Sequence, residues 1–279
     1  MTHRCAIIFV PLVLALSARA EPLDIQLVSN VTSIKPGEPF YLALALKHGA
    51  GYHTYWKHPG IVGVPTQIQW KSVPRGFRVG EIQWPEPERT YMFSIKAQGY
   101  DRDVCLPIPV YPPKKMPSGK SLTFKGQAAW MCCATKCNPG FKDLEITLSL
   151  GDGEPNDRWN TEIGLELNRG ISEMSGWAST AKLTGPKLQI TLKPLSSARP
   201  LSLVEVEKMI YFTEDGVADS NKPQTFRLAP NGHLVMETTI AETIPEGIKT
   251  EIRGVIIRPS GWLSDGSIRA MRVISPLVK

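Results

Sequence analysis

The sequence predicts an all-β protein made of two immunoglobulin-like antiparallel β-sandwich domains joined by a partly helical linker. Short segments in which apolar and polar residues alternate recur along the chain, and this period of two is typical of half-buried strands. Turns rich in Pro and Gly separate these segments. A length of 279 residues exceeds one small sandwich and fits two domains of ordinary size.

The first 20 residues have the features of a secretory signal peptide. A short basic start precedes an apolar stretch over 6–16, and Ala18-Arg19-Ala20 carries the small residues that signal peptidase requires. The apolar stretch is shorter than the ~20 residues needed to span a bilayer. We therefore expect cleavage after Ala20, export of a mature chain starting at Glu21, and no membrane-spanning segment.

The charge of the chain does not favour a nucleic-acid partner. The formal net charge of +6 falls to +4 once Arg4 and Arg19 leave with the signal. The remaining Lys and Arg residues are scattered, without the basic runs and interleaved aromatic residues of a nucleic-acid-binding surface. We therefore expect a mixed, solvated surface.

The first domain is predicted over residues 21–150, with turns at Lys35-Pro-Gly-Glu, Val73-Pro-Arg-Gly and Met116-Pro-Ser-Gly. The segment 103–110 contains two prolines within an apolar run, which favours an edge strand because proline lacks the N–H that a sheet ladder needs. Regular alternation predicts further strands at 24–28, 40–46, 66–70 and 144–150.

A linker is predicted over 151–183, because this segment is rich in turn residues and lacks regular alternation. Within it, residues 160–169 can form a short helix, with Asp157 or Asn160 as the N-cap. Its apolar residues would be Ile163, Leu165 and Leu167. The second domain is then expected over 184–279, without cysteine and with strands at 187–192, 204–207, 225–228, 233–236 and 251–257.

Three of the four cysteines beyond the signal lie within six residues, at Cys132, Cys133 and Cys137. A disulfide requires Cα atoms about 4.4–6.8 Å apart. A helical turn or a tight hairpin would bring Cys133 and Cys137 to this distance, whereas an extended strand would not. Pro139-Gly140 directly after the second cysteine favours a turn.

A bridge between Cys133 and Cys137 would close a very small loop and would add little stability through chain entropy. Such a pair suits thiol–disulfide exchange, which needs no cofactor, and Lys136 would favour the thiolate of Cys137 electrostatically. A structural clip is one alternative. A Cu(I) site is another, because Met131, Cys132, Cys133 and Cys137 offer soft sulfur ligands.

The other two cysteines have two interpretations. Cys105 and Cys132 are either buried free thiols or bridged to each other. If the segment around Cys132 is extended, Cys132 and Cys133 point to opposite faces and should not act together.

An aromatic block at 52–58 also has two interpretations. His53, Tyr55 and Trp56 could line the thiol pocket and exclude water, or they could be ordinary sandwich core. The segment Tyr91-Met92-Phe93 is a candidate flap over the cysteine pair, with Phe93 as its main residue.

The cysteine motif resembles that of a known family. The pattern Trp130-x-x-Cys133-x-x-x-Cys137-x-Pro139-Gly140 is similar to the redox motif in the amino-terminal periplasmic region of DsbD-type thiol–disulfide interchange proteins. The copper-sensitivity suppressor proteins belong to the same group. The segments 51–66 and 82–89 resemble two further blocks of that region in order and spacing. The resemblance covers 24–150 specifically and 184–279 more loosely.

The resemblance implies an immunoglobulin-like sandwich in the periplasm with one redox-active cysteine pair, here Cys133 and Cys137. In that family the second cysteine forms the mixed disulfide with partners, so Cys137 would be the nucleophile and Cys133 the resolving thiol. Electrons would reach periplasmic thioredoxin-fold proteins, with roles in cytochrome c assembly or copper tolerance. Because no membrane or thioredoxin domain follows in this sequence, we expect the electron donor to be a separate membrane-embedded protein.

Overall fold

The computed structural model describes residues 22–244, 247–248 and 250–278. Over these residues the protein is built from antiparallel β-sheets with two short helices, so the predicted all-β fold is confirmed. The expected signal peptide over 1–20 lies outside the described residues. In the described part of the chain, no helix is long and apolar enough to cross a membrane.

The first half of the chain forms two four-stranded sheets and one three-stranded sheet. Their orders are β1-β3-β9-β6, β2-β11-β10-β5 and β4-β8-β7. The predicted strands at 24–28, 40–46 and 66–70 are present within one or two residues of their expected bounds, whereas the strand predicted at 144–150 begins seven residues earlier, at Cys137. The strands are β1 (Leu23–Ser29), β2 (Ser33–Ile34), β3 (Phe40–His48), β4 (Thr54–Tyr55), β5 (Gln67–Ser72), β6 (Arg78–Val79), β7 (Glu88–Met92), β8 (Ile95–Tyr100), β9 (Val104–Tyr111), β10 (Ser121–Cys133) and β11 (Cys137–Leu150).

The core of this half lies between the two four-stranded sheets. Alternate residues of a strand point to opposite faces, so Leu42 and Leu44 of β3 enter the core whereas Ala43 lies on the outer face. From the facing sheet, Phe124 of β10 and Leu148 of β11 complete the same cluster. The regular alternation seen in the sequence therefore corresponds to real burial.

Strand β9 is not the outermost strand of its sheet, contrary to the prediction from its prolines. It pairs with β3 over 104–110 and with the two-residue β6 on its other side. On that second side, the carbonyl groups of Pro107 and Pro109 accept hydrogen bonds from Gln83 and Gly80. The prolines are tolerated because their missing N–H groups lie on this sparsely paired side, away from β3.

Helix α1 (Asp157–Asn168) packs on the outer face of the sheet β1-β3-β9. It begins three residues earlier than predicted, with Asn156 as its N-cap. Ile163 is buried against the sheet, whereas Leu165 is 53% exposed. Residues two apart cannot share one face of a helix, so the predicted apolar set could not all face the sheet.

The second half of the chain forms one curled sheet of eight strands. The strand order is β15-β18-β19-β13-β14-β17-β16, and β12 also pairs with β19. Its core takes residues from both arms of the curl, such as Ile190 and Met236 from one and Ile252 and Met271 from the other. The strands are β12 (Ser172–Glu173), β13 (Trp177–Thr184), β14 (Lys187–Pro194), β15 (Ile210–Thr213), β16 (Thr225–Leu228), β17 (Leu234–Thr239), β18 (Glu251–Ile257) and β19 (Ala270–Val278).

Two segments of this half differ from the prediction. The expected strand at 204–207 is part of helix α2 (Leu203–Val206), because Ser202 and Glu205 form a reciprocal capping box that starts a helix there. Strand β13, which the sequence places in the linker, pairs with β14 over its full length and with the end of β19.

Candidate functional site

The hairpin of β10 and β11 brings the cysteine pair together. Cys133 ends β10 and Cys137 begins β11, and the two residues lie directly opposite each other with Cα atoms 4.1 Å apart. They form a disulfide. The connecting loop of three residues is closed by a hydrogen bond from the Ala134 N–H to the Lys136 carbonyl at 3.0 Å. The tight hairpin is one of the two geometries that the spacing allowed.

The rest of the cysteine motif supports this hairpin. Trp130 and Gly140 lie opposite each other in the same pair of strands. A Cβ at Gly140 would lie 2.6 Å from the Trp130 ring, so the indole occupies the space above the glycine. The spacing between Trp130, the cysteines and Gly140 is therefore explained by the register of one hairpin.

The two sulfur-bearing residues differ in access. Cys133 is fully buried, and its backbone exchanges two hydrogen bonds with His53, at 2.9 and 3.0 Å. Cys137 is only half-buried, and Lys136 beside it is exposed. Thiol–disulfide exchange requires that the attacking thiolate reach a sulfur atom. Cys137 is therefore the more accessible residue of the pair.

A small apolar cluster surrounds the disulfide. Tyr55 and Ala97 are fully buried with Cys133, and Val62, Met131 and Cys137 pack around them. Tyr55 is held in place because β4 pairs with β8. The structure therefore brings Tyr55 to the cysteine pair, as one interpretation of the aromatic block predicted.

His53 and Tyr55 form a buried pair next to Cys133. The His53 Nε2 and the Tyr55 hydroxyl are 3.3 Å apart, and the two rings meet edge to face. Burial lowers the pKa of His53, and burial, with a smaller contribution from Cys132, raises the pKa of Tyr55 to about 12. Both side chains are therefore neutral at pH 7, so His53 supplies no positive charge to stabilise a thiolate.

Trp56 lies elsewhere. Its ring is fully buried in the core between the two four-stranded sheets and meets His58 edge to face at 6.0 Å. The core interpretation thus holds for Trp56, and the pocket interpretation holds for Tyr55.

The two remaining cysteines among the described residues, Cys105 and Cys132, are free and buried. Cys132 points into the main core, where its thiol donates to the Pro22 carbonyl at 3.3 Å. Cys105 lies on the outer face of β9, beneath helix α1. The bridge between them, one of the two alternatives, is therefore wrong. Burial raises the pKa of each thiol to about 12, which keeps both unreactive at neutral pH.

The position of Cys132 also bears on the copper alternative. Cys132 lies in the main core, whereas Met131, Cys133 and Cys137 lie in the cluster on the opposite face of β10. The four sulfur atoms therefore do not converge on one point. Among residues whose structure is described, no group of three or more His, Cys, Asp or Glu side chains is placed to hold a metal ion.

The candidate flap is the turn of the β7–β8 hairpin. Met92 pairs with Ile95, so Phe93 and Ser94 form the turn. Tyr91 and Phe93 are 52% and 65% exposed, and Phe93 has a φ of 56°, which side chains other than glycine rarely adopt. The flap role of Phe93 stays a prediction, and its exposed ring at the end of the strand that carries Ala97 motivates it.

Three residues of the site, Val62, Ala97 and Gly63, were not predicted from the residues themselves. Ala97 contacts the cluster only because of the register of β8, for which the sequence offers no signal. Gly63 lies inside one of the blocks that carry the family resemblance. Its φ is +102°, and a Cβ there would lie 2.3 Å from the Tyr55 ring, so this glycine lets the loop close over Tyr55.

Comparisons with known proteins support the resemblance. Residues 20–149 match the family model described as the N-terminal part of the thiol:disulfide interchange protein DsbD. No curated protein matches the chain in sequence.

One solved structure has a similar fold over nearly the whole chain. The N-terminal periplasmic domain of ScsB from Proteus mirabilis matches with a TM-score of 0.62 at 14% identity, over 92% of this chain and 94% of that one. A protein of unknown function from Porphyromonas gingivalis W83 aligns at 12% identity over 92% of this chain and 100% of that one, but its TM-score of 0.27 is too low to indicate a shared fold. The family match and the cysteine hairpin together show that residues 20–149 resemble the N-terminal part of the thiol:disulfide interchange protein DsbD.

Proposed function

We propose that this protein passes electrons between other proteins by thiol–disulfide exchange at Cys133 and Cys137. The observation that carries the proposal is the difference in access within one disulfide, with Cys133 buried and Cys137 half-buried. A clip that only braces a fold needs no such difference. An exchange site does, because a partner must reach one sulfur while the other stays within reach to resolve the mixed disulfide.

The proposed reaction has two steps. In the reduced protein, the Cys137 thiolate attacks a partner disulfide, forms a mixed disulfide with one partner sulfur, and releases the other as a thiolate that takes up a proton. The Cys133 thiol then loses its proton and attacks the Cys137 sulfur, which restores the Cys133–Cys137 bond and releases the second partner thiol. Two electrons have moved to the partner, which is now reduced.

The residues around the pair have distinct parts in this scheme. His53 and Tyr55 are neutral and shield Cys133 from water, so they position the resolving thiol and do not supply charge. Lys136 is the cationic residue adjacent to Cys137 in sequence, and we assign it the role of favouring the Cys137 thiolate. Cys132 and Cys105 take no part, because both are buried on other faces.

The partners in this proposal are periplasmic thioredoxin-fold proteins and a separate membrane-embedded electron donor. The family match over 20–149 and the periplasmic description of the ScsB domain support export of this chain to the same compartment. We place the exchange site in a first domain over 21–150. The second β-domain carries none of the cysteines.

The test is a pair of single cysteine variants incubated with an oxidised thioredoxin-fold protein. We expect reduced Cys133→Ser to accumulate a mixed disulfide through Cys137, and reduced Cys137→Ser to accumulate none. Cys132→Ser is the matched control and should behave as the unaltered protein. Trapping by Cys137→Ser but not by Cys133→Ser would overturn the assigned roles.

A glutathione titration separates exchange from a structural clip. We expect the pair to titrate between about −180 and −270 mV, where exchange proteins lie. A bridge that resists reduction to below about −300 mV would be structural and would refute the exchange function.

A further inference from the structure

Strand β8 contacts the disulfide cluster on one face and the second half of the chain through its neighbouring residues. Ala97 is fully buried with Cys133 and Tyr55. The residues on either side of it, Lys96 and Gln98, bond to residues more than 100 positions later in the sequence. Any shift of these two residues must therefore move Ala97 against the disulfide cluster.

Gln98 is bound to the backbone of β15. Its side-chain amide is buried, and its Oε1 accepts from the Thr213 N–H at 2.9 Å while its Nε2 donates to the Thr213 carbonyl at 2.9 Å. The same Nε2 also donates to the His58 carbonyl at 2.5 Å. The amide thus pairs with Thr213 as a neighbouring strand would, and it connects the loop after Tyr55 to the second half.

The backbone of Lys96 is bound in a similar way by two side chains. Its N–H donates to Asn221 Oδ1 at 3.1 Å, and its carbonyl accepts from the Ser220 hydroxyl at 3.0 Å. The Ser220 oxygen also accepts from the Ile61 N–H at 3.2 Å. These bonds take the place of a neighbouring strand where β8 extends beyond its two-residue partner β4, two residues from the turn that carries Phe93.

A buried group of charges fixes the two halves against each other. Glu214, whose side chain is 5% exposed, accepts from Lys57 at 2.5 Å and from Arg272 at 2.9 Å. Burial alone would raise the pKa of Glu214, but Lys57 and Arg272 outweigh it and the pKa is lowered, so the carboxylate stays charged at neutral pH. The contact between the two halves therefore includes both hydrogen bonds and a buried ion pair.

We propose that the second half of the chain is a positioning element for the cysteine pair. Ser220 and Asn221 hold Lys96, and Thr213 holds Gln98. The β7–β8 hairpin therefore stays packed on the disulfide and limits access to Cys137. This inference rests on the proposed exchange function for its biological meaning. Its physical content, the access of a reductant to Cys137, can be measured without any protein partner.

The test is the rate at which dithiothreitol reduces Cys133–Cys137 in the full chain. For Ser220→Ala/Asn221→Ala we expect about a tenfold increase, which corresponds to about 1.4 kcal/mol and to the loss of one or two hydrogen bonds that oppose local opening. Asn221→Asp keeps the acceptor for the Lys96 N–H, so this variant should retain the rate of the unaltered protein.

Asn231→Ala is the matched control. Asn231 also accepts a backbone N–H through its side chain, from His233, but this bond lies entirely within the second half. Equal acceleration in Asn231→Ala and in the double variant would overturn the proposal, as would an unchanged rate in the double variant.

Amide hydrogen exchange provides a second readout. In the double variant we expect faster exchange across β7 and β8 and unchanged exchange in β1, which contacts neither Ser220 nor Asn221. Faster exchange throughout the chain would indicate general destabilisation and would refute a specific positioning role. If the glutathione titration shows a bridge that resists reduction, the exchange function is refuted, but the rates of reduction by dithiothreitol still test the positioning role. Failure of the exchange proposal and failure of the positioning proposal are therefore distinguishable.

Discussion

Replacing Gly63 by alanine should disturb the wall of the disulfide site. A Cβ at Gly63 would lie 2.3 Å from Cδ1 and Cε1 of Tyr55 and 2.7 Å from its Cγ. Non-bonded carbon atoms rest about 3.5–4.0 Å apart, so the ring or the loop would have to move by about 1 Å. Tyr55 is fully buried against Cys133, which leaves its ring no free space on the solvent side.

The magnitude follows from two contributions. Forcing extra atoms into a packed site costs about 1–3 kcal/mol. A side chain in the left-handed region, here at a φ of +102°, costs about 1–2 kcal/mol more. We therefore expect Gly63→Ala to lower the free energy of unfolding by about 2–5 kcal/mol.

Gly51→Ala is the matched control, because Gly51 has a φ of +76° but no atom within 4 Å of the added Cβ. It should show only the backbone contribution, about 1–2 kcal/mol. The assay is urea unfolding of the oxidised proteins followed by tryptophan fluorescence, together with the rate of reduction by dithiothreitol. Equal losses of stability in the two variants would refute the packing argument for Tyr55.

Buried groups outside the cysteine pair offer three further tests. Cys132 and Cys105, whose pKa values burial raises to about 12, should resist iodoacetamide at pH 8 in the folded protein and react fully in denaturant, as read by peptide mass. Burial lowers the pKa of His48 to about 4, so this residue should lower the free energy of unfolding by up to about 3 kcal/mol as pH drops from 6.5 through 4 in urea titrations. The slope should become shallower in His48→Asn without vanishing, because burial also lowers the pKa of His53 and His58. Arg102 donates two hydrogen bonds to the buried carboxylate of Glu166. Arg102→Met removes both and should lower the free energy of unfolding by about 3–5 kcal/mol in the same assay, and adding Glu166→Gln should restore part of it.

The strands of this protein were largely predictable, because burial on one face leaves a period of two in the sequence. The segments 24–28 and 40–46 show that period and are strands β1 and β3. The segment 204–207 shows it too, yet Ser202 and Glu205 start a helix there. Its alternating residues are therefore a misleading signal, since Val204 is 63% exposed in the helix. A local capping interaction outweighed the pattern.

The spacing of Cys133 and Cys137 predicted that a tight hairpin could pair them, and the hairpin is present. The predicted turn at Pro139-Gly140 is wrong, because the chain reverses at 134–136 and Pro139 and Gly140 lie in β11, opposite Met131 and Trp130. The alternation of side chains along β10 places Cys132 on the face opposite Cys133, and this too follows from adjacent residues alone. Access was decided only by the tertiary structure. Cys133 is buried because Tyr55 and Ala97, which lie 36 or more residues away, pack against it.

The contacts that the second half makes with β8 were likewise decided only by the tertiary structure. Thr213, Ser220 and Asn221 reach the strand next to the disulfide from more than 110 residues away in sequence. No pattern along the chain encodes such contacts, since they depend on how the sheets of the two halves pack against each other. The sequence thus predicted which cysteines could pair, and the packing of distant strands decided which of the two is buried.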